Sequence, residues 1–166
     1  MGPEPWMRGY LADLDPVIAA VLYSFQQVRE DVERWTAGLT EAQVWHQQGE
    51  VAPAGFQLRH MAGSMDRLIT YALGEALTAA QLAALKTESA RGDVSLAELQ
   101  DLMEASIQRA EAAVRVCEPS RFGELRELGR KRIPTTLAGL LIHTAEHTQR
   151  HLGLLIAAVK VARGGG

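Results

Sequence analysis

The chain has little of what would build a disulfide framework or a cysteine-rich metal site. Its 166 residues include a single cysteine, Cys117, so no intramolecular disulfide can form and cysteines cannot supply a cluster of metal ligands. Charge of one sign is also scarce. The formal net charge of -3, from 17 basic and 20 acidic residues, gives no electrostatic reason to expect nucleic acid or an anionic membrane as a partner. We therefore expect a small-molecule partner.

Long apolar runs are missing as well. No run approaches the ~20 apolar residues that a membrane-spanning helix needs, and the first residues lack the apolar stretch of a signal peptide. We expect a cytoplasmic protein that contacts no membrane. The length and the 47% of apolar residues predict one domain with a sizeable core over residues 1–166.

Helical periodicity dominates what the sequence does contain, and the period-two pattern of strands is not visible. Apolar stripes, caps and stop signals predict four long helices. The first begins after Asp15 and stops at Gly38, the second covers 56–76, the third begins at the capping box Ser95–Glu98 and ends before Pro119, and the last runs from 134 to about 163. Such a set predicts an all-α fold, a four-helix bundle.

The segments between these helices are predicted from their polarity and their turn residues. Residues 39–53 read as a connector across one end of the bundle, with one or two helical turns over 40–45 as a short additional helix. The alanine- and leucine-rich stretch 77–85 is also expected to be helical, and 89–93 to be a loop. Charged runs usually face water, so we expect residues 120–133 to form a solvated connector.

Three of the five histidines, His143, His147 and His151, fall within nine residues of the last predicted helix. At ~100° per residue, His151 lies about 10° from the centre of the apolar stripe, His147 about 50° and His143 about 90°. His147 and His151 therefore face the interior, His143 sits at its margin, and Glu146 falls on the solvated side. Two inward imidazoles one turn apart form half of a metal site.

A third ligand must come from another helix. His60 borders the apolar face of the second helix, whereas His46 lies in the connector. The sequence thus predicts a site of His60, His147 and His151, with the remaining coordination positions open to water or substrate. The alternative is that each histidine is buried and hydrogen-bonded without a metal. For two adjacent imidazoles this leaves polar nitrogens uncompensated, at ~1 to 3 kcal/mol for each unpaired group.

Two other metal motifs are disfavoured. A di-iron bundle requires glutamate three residues before histidine, and none of the five histidines has one there. The segment 143–147 does match the inverted zincin pattern H-x-x-E-H. Because Glu146 points away from the helical core and no protease framework is visible, we interpret this match as accidental.

Residues 58–68 and 141–153 contain the histidines of the predicted site, and these segments resemble the DinB/YfiT-like superfamily of metalloenzymes. The resemblance covers nearly the whole chain. The resemblance implies a four-helix bundle, often a homodimer. It also implies a divalent metal, commonly nickel or zinc, held by one histidine of the second helix and an H-x-x-x-H pair of the last, here His60, His147 and His151. Leu154 stands where the family often has glutamine.

The resemblance further implies an activity, since the family includes thiol-dependent transferases and isomerases. We expect a metal-dependent thiol transferase or hydrolase whose metal activates water or a low-molecular-weight thiol. His143 is expected either to support the ligands or to replace His151 in a rival pair with His147. Imidazoles bind zinc, nickel, copper and iron alike, and manganese is a further candidate for the bound metal. The competing interpretations are a non-catalytic metal-binding or dimerising module and a bundle without metal.

Overall fold

Helices make up most of residues 2–9, 11–91 and 93–164, the part of the chain that the computed structural model describes. The α-helices are α1 (Pro16–Thr36), α2 (Glu41–Val44), α3 (Ala54–Ala72), α4 (Ala79–Thr87), α5 (Leu96–Arg115) and α6 (Leu137–Ala162). Two short strands, β1 (Leu125–Leu128) and β2 (Ile133–Thr136), lie between α5 and α6. The expected mainly helical fold is confirmed. None of the described helices combines the length and apolarity that crossing a membrane requires.

Side-chain caps begin α1, α2 and α5 where the sequence predicted helices. The Asp15 carboxylate accepts a hydrogen bond from a backbone amide of the first turn of α1. A capping box of Ser95 and Glu98 begins α5, as predicted. Thr40 and Gln43 form a second box, which begins α2 and confirms the short helix expected in the connector.

The four long helices α1, α3, α5 and α6 enclose one apolar core. Helix α3 packs against α5 and α6, and α1 contacts the same two helices. The largest fully buried side chains come from all four: Phe25, Val28, Leu58, Met61, Met65, Ile69, Leu99, Met103, Ile107, Leu140, Leu141 and Leu155. The contact between α3 and α6 is the most extensive of these. It joins the two helices that carry the histidines of interest.

Helix α3 is shifted relative to the predicted range 56–76. It begins at Ala54 and ends at Ala72, four residues early. Gly74 has a φ of 81°, a left-handed conformation that glycine adopts readily and that stops a helix. The chain therefore leaves the core here instead of continuing along it.

Helix α4 confirms the helix expected near 77–85, although it begins only after Thr78, whose side chain accepts a hydrogen bond from the Gln81 amide. The helix buries none of its residues. In the predicted loop 89–93, the described residues form turns and coil, and Gly92 lies outside the described residues, as do the last two glycines of the chain.

A β-hairpin occupies most of the segment predicted to be a solvated connector, so the expectation that the chain has no strands was wrong. Strand β1 pairs antiparallel with β2, and Leu128 lies opposite Ile133. Gly129 and Arg132 have positive φ values of 67° and 49° and turn the chain between the strands. The strands are only four residues long, too short for a periodic pattern to stand out in the sequence.

Arg126 explains why this charged segment is not simply solvated. Its side chain is only 10% exposed. Its Nε donates a hydrogen bond to the carbonyl oxygen of Ala72, 2.7 Å away at the end of α3. A long side chain can bury its stem and still satisfy its charged end, so a run of charges does not exclude packing. The hairpin is thereby held against the helix that carries His60.

The last helix begins later than predicted. Pro134 belongs to β2, and α6 begins at Leu137 after Thr136, whose hydroxyl accepts a hydrogen bond from the Gly139 amide at 3.1 Å. A further correction concerns Leu102. Its spacing from Leu99 predicts a place on the apolar stripe of the third helix, yet it is 46% exposed. It lines a pocket together with residues of α4, which does not cover it completely.

We predict that the cap of α6 matters more for global stability than the cap of α4. Replacing Thr136→Ala should lower the free energy of unfolding by about 1 kcal/mol, since it removes a side-chain cap from a core helix. The same change at Thr78 should lower it much less, because α4 buries no residues and can unfold locally without opening the core. Urea unfolding of both variants measures the difference, and equal losses would contradict it.

Candidate metal centre

Three histidines from two helices meet where α3 packs against α6. His60 comes from α3, and His147 and His151 come from successive turns of α6. One ring nitrogen from each lies within 4.8 Å of the others. The Nε2 atoms of His60 and His147 are 3.1 Å apart, and the rings of His60 and His151 lie 4.2 Å apart between centroids. The structure thus brings together the three residues that were predicted to form the site.

His60 is held from two sides. Its Nδ1 lies 2.9 Å from the Glu88 carboxylate, and the Phe56 ring stacks on its ring at a centroid distance of 5.5 Å. A carboxylate without a proton can only accept hydrogen bonds, so the hydrogen is on Nδ1 of His60. The lone pair of a neutral His60 is then on Nε2, the atom that faces His147.

His151 is oriented in the same way by an amide. Its Nδ1 lies 2.8 Å from the side-chain oxygen of Gln57, a buried residue one turn before His60 on α3. With that oxygen as acceptor, Nδ1 carries the hydrogen and Nε2 keeps its lone pair. Outer hydrogen bonds of this kind fix the tautomer and the ring orientation of metal-binding histidines.

Burial keeps the α6 imidazoles neutral. It lowers the pKa of His147, and the neighbouring His60 and His143 lower it further. Burial also lowers the pKa of His151 to about 4, with additional contributions from His60 and His147. Both rings are therefore uncharged at neutral pH, the form in which imidazole binds a metal.

The arrangement fits a divalent ion. Two nitrogens that each lie ~2.0 to 2.1 Å from one ion are roughly 2.9 to 3.4 Å apart for bond angles of about 90 to 110°. The Nε2 atoms of His60 and His147, at 3.1 Å, fall in that range. Without an ion, one of these two nitrogens must donate a hydrogen to the other. Three imidazoles do not distinguish zinc from nickel, copper or iron.

The other two histidines are not part of the cluster. His143 is 43% exposed, and its Nδ1 lies 3.0 Å from Glu146 of the same helix. Its ring centroid is 5.4 Å from that of His147, so it borders the site. Glu146 is exposed and also pairs with Arg150, as expected for the solvated side of the helix. His46 is exposed in the segment after α2.

The buried threonines beside the histidines contribute to the helix and not to the site. Thr144 and Thr148 are fully shielded from solvent and lie one turn apart on the apolar stripe of α6. Both hydroxyls donate to the carbonyl oxygen four residues earlier, at 2.7 Å. Both hydroxyl hydrogens are therefore used by the backbone of α6, and the clustered ligand groups found among the described residues are imidazoles.

Sequence reasoning missed the two residues that orient the ligands. Gln57 could have been noticed, because it is a polar residue four positions before Met61 on the apolar stripe of α3. Glu88 carries no comparable local signal, since it follows a surface helix and lies 28 residues after His60. Leu154 stands at the position where the DinB/YfiT-like superfamily often has glutamine, and it is 46% exposed.

Comparison with known proteins identifies a matching family. The model of the DinB superfamily matches residues 24–155. The matched range extends from α1 into α6 and contains all three clustered histidines. A search of curated proteins found no match.

We predict that the metal-free protein loses stability as the pH falls from about 6.5 towards 4. In the unfolded chain His151 binds a proton near pH 6.5, whereas in the fold its pKa is about 4. Protonation therefore favours the unfolded chain between these two pH values. Above about pH 6.5, His151 is unprotonated in both states, and its full contribution to the free energy of unfolding is present. The loss should be on the order of 1 kcal/mol, because the ring is partly exposed and screened.

Urea unfolding in the presence of a chelator, at several pH values between 7 and 4.5, measures this loss. The matched variant is His151→Asn, whose amide can still donate to Gln57 but does not titrate. Its stability should fall less steeply with acid than that of the wild type. Parallel curves for the two proteins would show that His151 is not the group responsible.

Proposed function

The chain belongs to the DinB superfamily, and on this premise we propose that it is a divalent-metal-dependent enzyme on a four-helix bundle of the DinB/YfiT type. His60, His147 and His151 hold the ion, with nickel or zinc favoured. The proposed reaction is hydrolysis, or transfer of a low-molecular-weight thiol, on a small molecule. Family membership and the three-histidine cluster support this proposal.

The observation that carries the proposal is the incomplete donor set. Among the described residues, no cysteine, carboxylate or further histidine offers a fourth ligand atom at the same distance. All three histidines are partly exposed, so the centre reaches solvent. Structural zinc sites are closed by four protein ligands, whereas catalytic sites keep a position for water or substrate. Three imidazoles open to solvent fit the catalytic arrangement better.

The residues around the centre prepare it for such chemistry. A bound divalent ion supplies Lewis acidity, which lowers the pKa of a water or thiol bound to it. Glu88 and Gln57 hold the Nδ1 atoms of His60 and His151, which leaves both Nε2 lone pairs directed inward. Phe56 covers one face of the His60 ring and restricts its rotation.

His143 completes the proposal as a supporting residue. It lies at the exposed rim beside His147 and shares a hydrogen bond with Glu146. From there it can orient an anionic group of a substrate without binding the metal. In the rival pair of His143 and His147, His143 would have to break its hydrogen bond with Glu146 and rotate toward the interior.

We predict that His60→Ala and His147→Ala each reduce bound metal in the purified, untagged protein to less than about a tenth of the wild-type content. Each change removes one of three donors, and two imidazoles hold a divalent ion far less tightly. His143→Ala is the matched control, since it removes an imidazole from the same helix at the rim. It should keep wild-type metal content. Elemental analysis of the dialysed proteins gives the answer.

Full metal content in both the His60 and His147 variants would show that the site lies elsewhere. Loss in the His143 variant with retention in His151→Ala would instead support the rival pair. Far-ultraviolet circular dichroism of each variant separates loss of metal from loss of fold.

The alternative function is a non-catalytic metal-binding or dimerising module. It is favoured by exposed apolar side chains on α4 and α5, namely Leu82, Leu85 and Leu102, which are 38%, 44% and 46% exposed. Helix α4 is rich in alanine and leucine yet buries no residue. A helix with apolar residues on all sides is usually covered. In this alternative the metal stabilises the fold and the exposed surface binds a second copy.

We predict that the bound metal keeps an exchangeable position. When cobalt(II) replaces the native metal, 2-mercaptoethanol should produce a saturable thiolate-to-cobalt absorption band, because sulfur enters the open position. Ethylene glycol, the analogue with oxygen in place of sulfur, is the matched control and should produce no such band. A spectrum that 2-mercaptoethanol leaves unchanged would indicate a closed site and favour the non-catalytic module.

A further inference from the structure

We propose that Glu88 is a positioning residue of the metal centre, and that the absence of a side chain at Gly63 is what allows its carboxylate to reach His60. The proposal rests on the proposed metal-binding function. It concerns two residues outside the ligand set, one on α3 and one just after α4. Neither was singled out by the sequence.

The carboxylate of Glu88 is shared between two partners on α3. Its Oε2 accepts a hydrogen bond from Nδ1 of His60 at 2.9 Å, and its Oε1 accepts one from Nη1 of Arg67 at 3.0 Å. Burial raises the pKa of Glu88, but the hydrogen bonds from His60 and Arg67 outweigh burial and bring the pKa below its usual value. The group is therefore a carboxylate at neutral pH, which can accept from His60 but cannot donate.

The burial pattern indicates why this carboxylate is where it is. Among the described residues between Ala72 and Leu99, Glu88 alone is buried. This segment leaves the core, forms α4 and returns, and the one side chain that it buries is an acid and not an apolar residue. Burying a carboxylate is costly unless it is paired. Apolar packing therefore does not explain the burial of Glu88, whereas its contacts with His60 and Arg67 do.

A bond from Nδ1 to a carboxylate has two effects on a histidine. It keeps the hydrogen on Nδ1, and it makes the opposite nitrogen a better electron donor. For His60 the opposite atom is Nε2, which lies 3.1 Å from Nε2 of His147. Arg67 holds the other carboxylate oxygen, so Glu88 cannot turn away without losing an ion pair.

Gly63 provides the space for this contact. A Cβ atom at position 63 would lie 2.6 Å from Oε1 of Glu88 and 2.8 Å from Nη1 of Arg67, so both side chains would have to shift. Gly63 is in the interior of α3, where glycine is less favourable for helix formation than alanine. Its backbone is ordinary helix, so the turn geometry does not require glycine. A Cβ here would instead displace the ends of the Glu88 and Arg67 side chains from their present positions.

The test is Gly63→Ala, a variant that keeps every ligand and every charge. We expect its affinity for Ni²⁺, measured by competition with a coloured chelator, to fall about ten- to a hundredfold, the range typical for loss of an outer partner of a ligand. The matched control is Gly153→Ala, another helical glycine, where an added Cβ meets nothing within 4 Å. It lies two residues after His151 and should bind Ni²⁺ as the wild type does.

A second readout does not involve metal. Nitrogen chemical shifts of the metal-free protein report which nitrogen of His60 carries the hydrogen. We expect the Nδ1–H form to dominate in the wild type and in Gly153→Ala, and to be mixed with the Nε2–H form in Gly63→Ala. Glu88→Gln should weaken Ni²⁺ binding less than Gly63→Ala, because its side-chain oxygen can still accept from Nδ1 but is neutral.

Unchanged Ni²⁺ affinity and an unchanged His60 tautomer in Gly63→Ala would overturn the proposal, and Glu88 would then be a structural partner of Arg67 only. If the wild type itself binds no Ni²⁺ or Zn²⁺, the proposed function fails and this proposal fails with it. If the wild type binds Ni²⁺ and Gly63→Ala binds it equally, only the role of Glu88 and Gly63 is refuted. The two failures are therefore distinguishable.

Discussion

The packing of α3 against α6 is the contact on which the candidate site depends. Both helices bury apolar residues in the core, including Met61 and Met65 of α3 and Leu141 of α6. Their burial places His60 against His147, 87 residues away along the chain. The same packing removes water from the α6 imidazoles and lowers their pKa values, so that neutral nitrogens face one another. Hydrophobic burial thus produces both the geometry and the chemical state of the cluster.

Polar neighbours make this burial tolerable. A buried imidazole nitrogen without a partner would cost about 1 to 3 kcal/mol. Gln57 and Glu88 satisfy one nitrogen each of His151 and His60, and Arg67 balances the charge of Glu88. One ring nitrogen from each of the three histidines lies within 4.8 Å of the others, an arrangement compatible with a shared metal ion. The hydrogen bonds that stabilise the metal-free fold are therefore the ones that would orient the ligands.

Much of the architecture was predictable because it is encoded over a few residues. Caps such as Ser95 with Glu98 act within one turn, and apolar stripes repeat every 3.6 residues. The prediction failed where the decisive contact is distant or the element is short. Arg126 binds the carbonyl oxygen of Ala72, so a charged segment became a packed hairpin. Leu102 follows the helical period of α5 but is 46% exposed, because α4, which lines the same pocket, does not cover it completely.

Local periodicity was sufficient to show that His147 and His151 face inward and that His60 borders an apolar face, since the direction of a helical side chain follows from its position in the turn. It was not sufficient to identify Glu88 or to explain Gly63. Their roles exist only because the chain returns to α3 after α4 and places a carboxylate against a residue that has no side chain. Such a contact joins segments that are distant along the chain, and no short-range pattern encodes it.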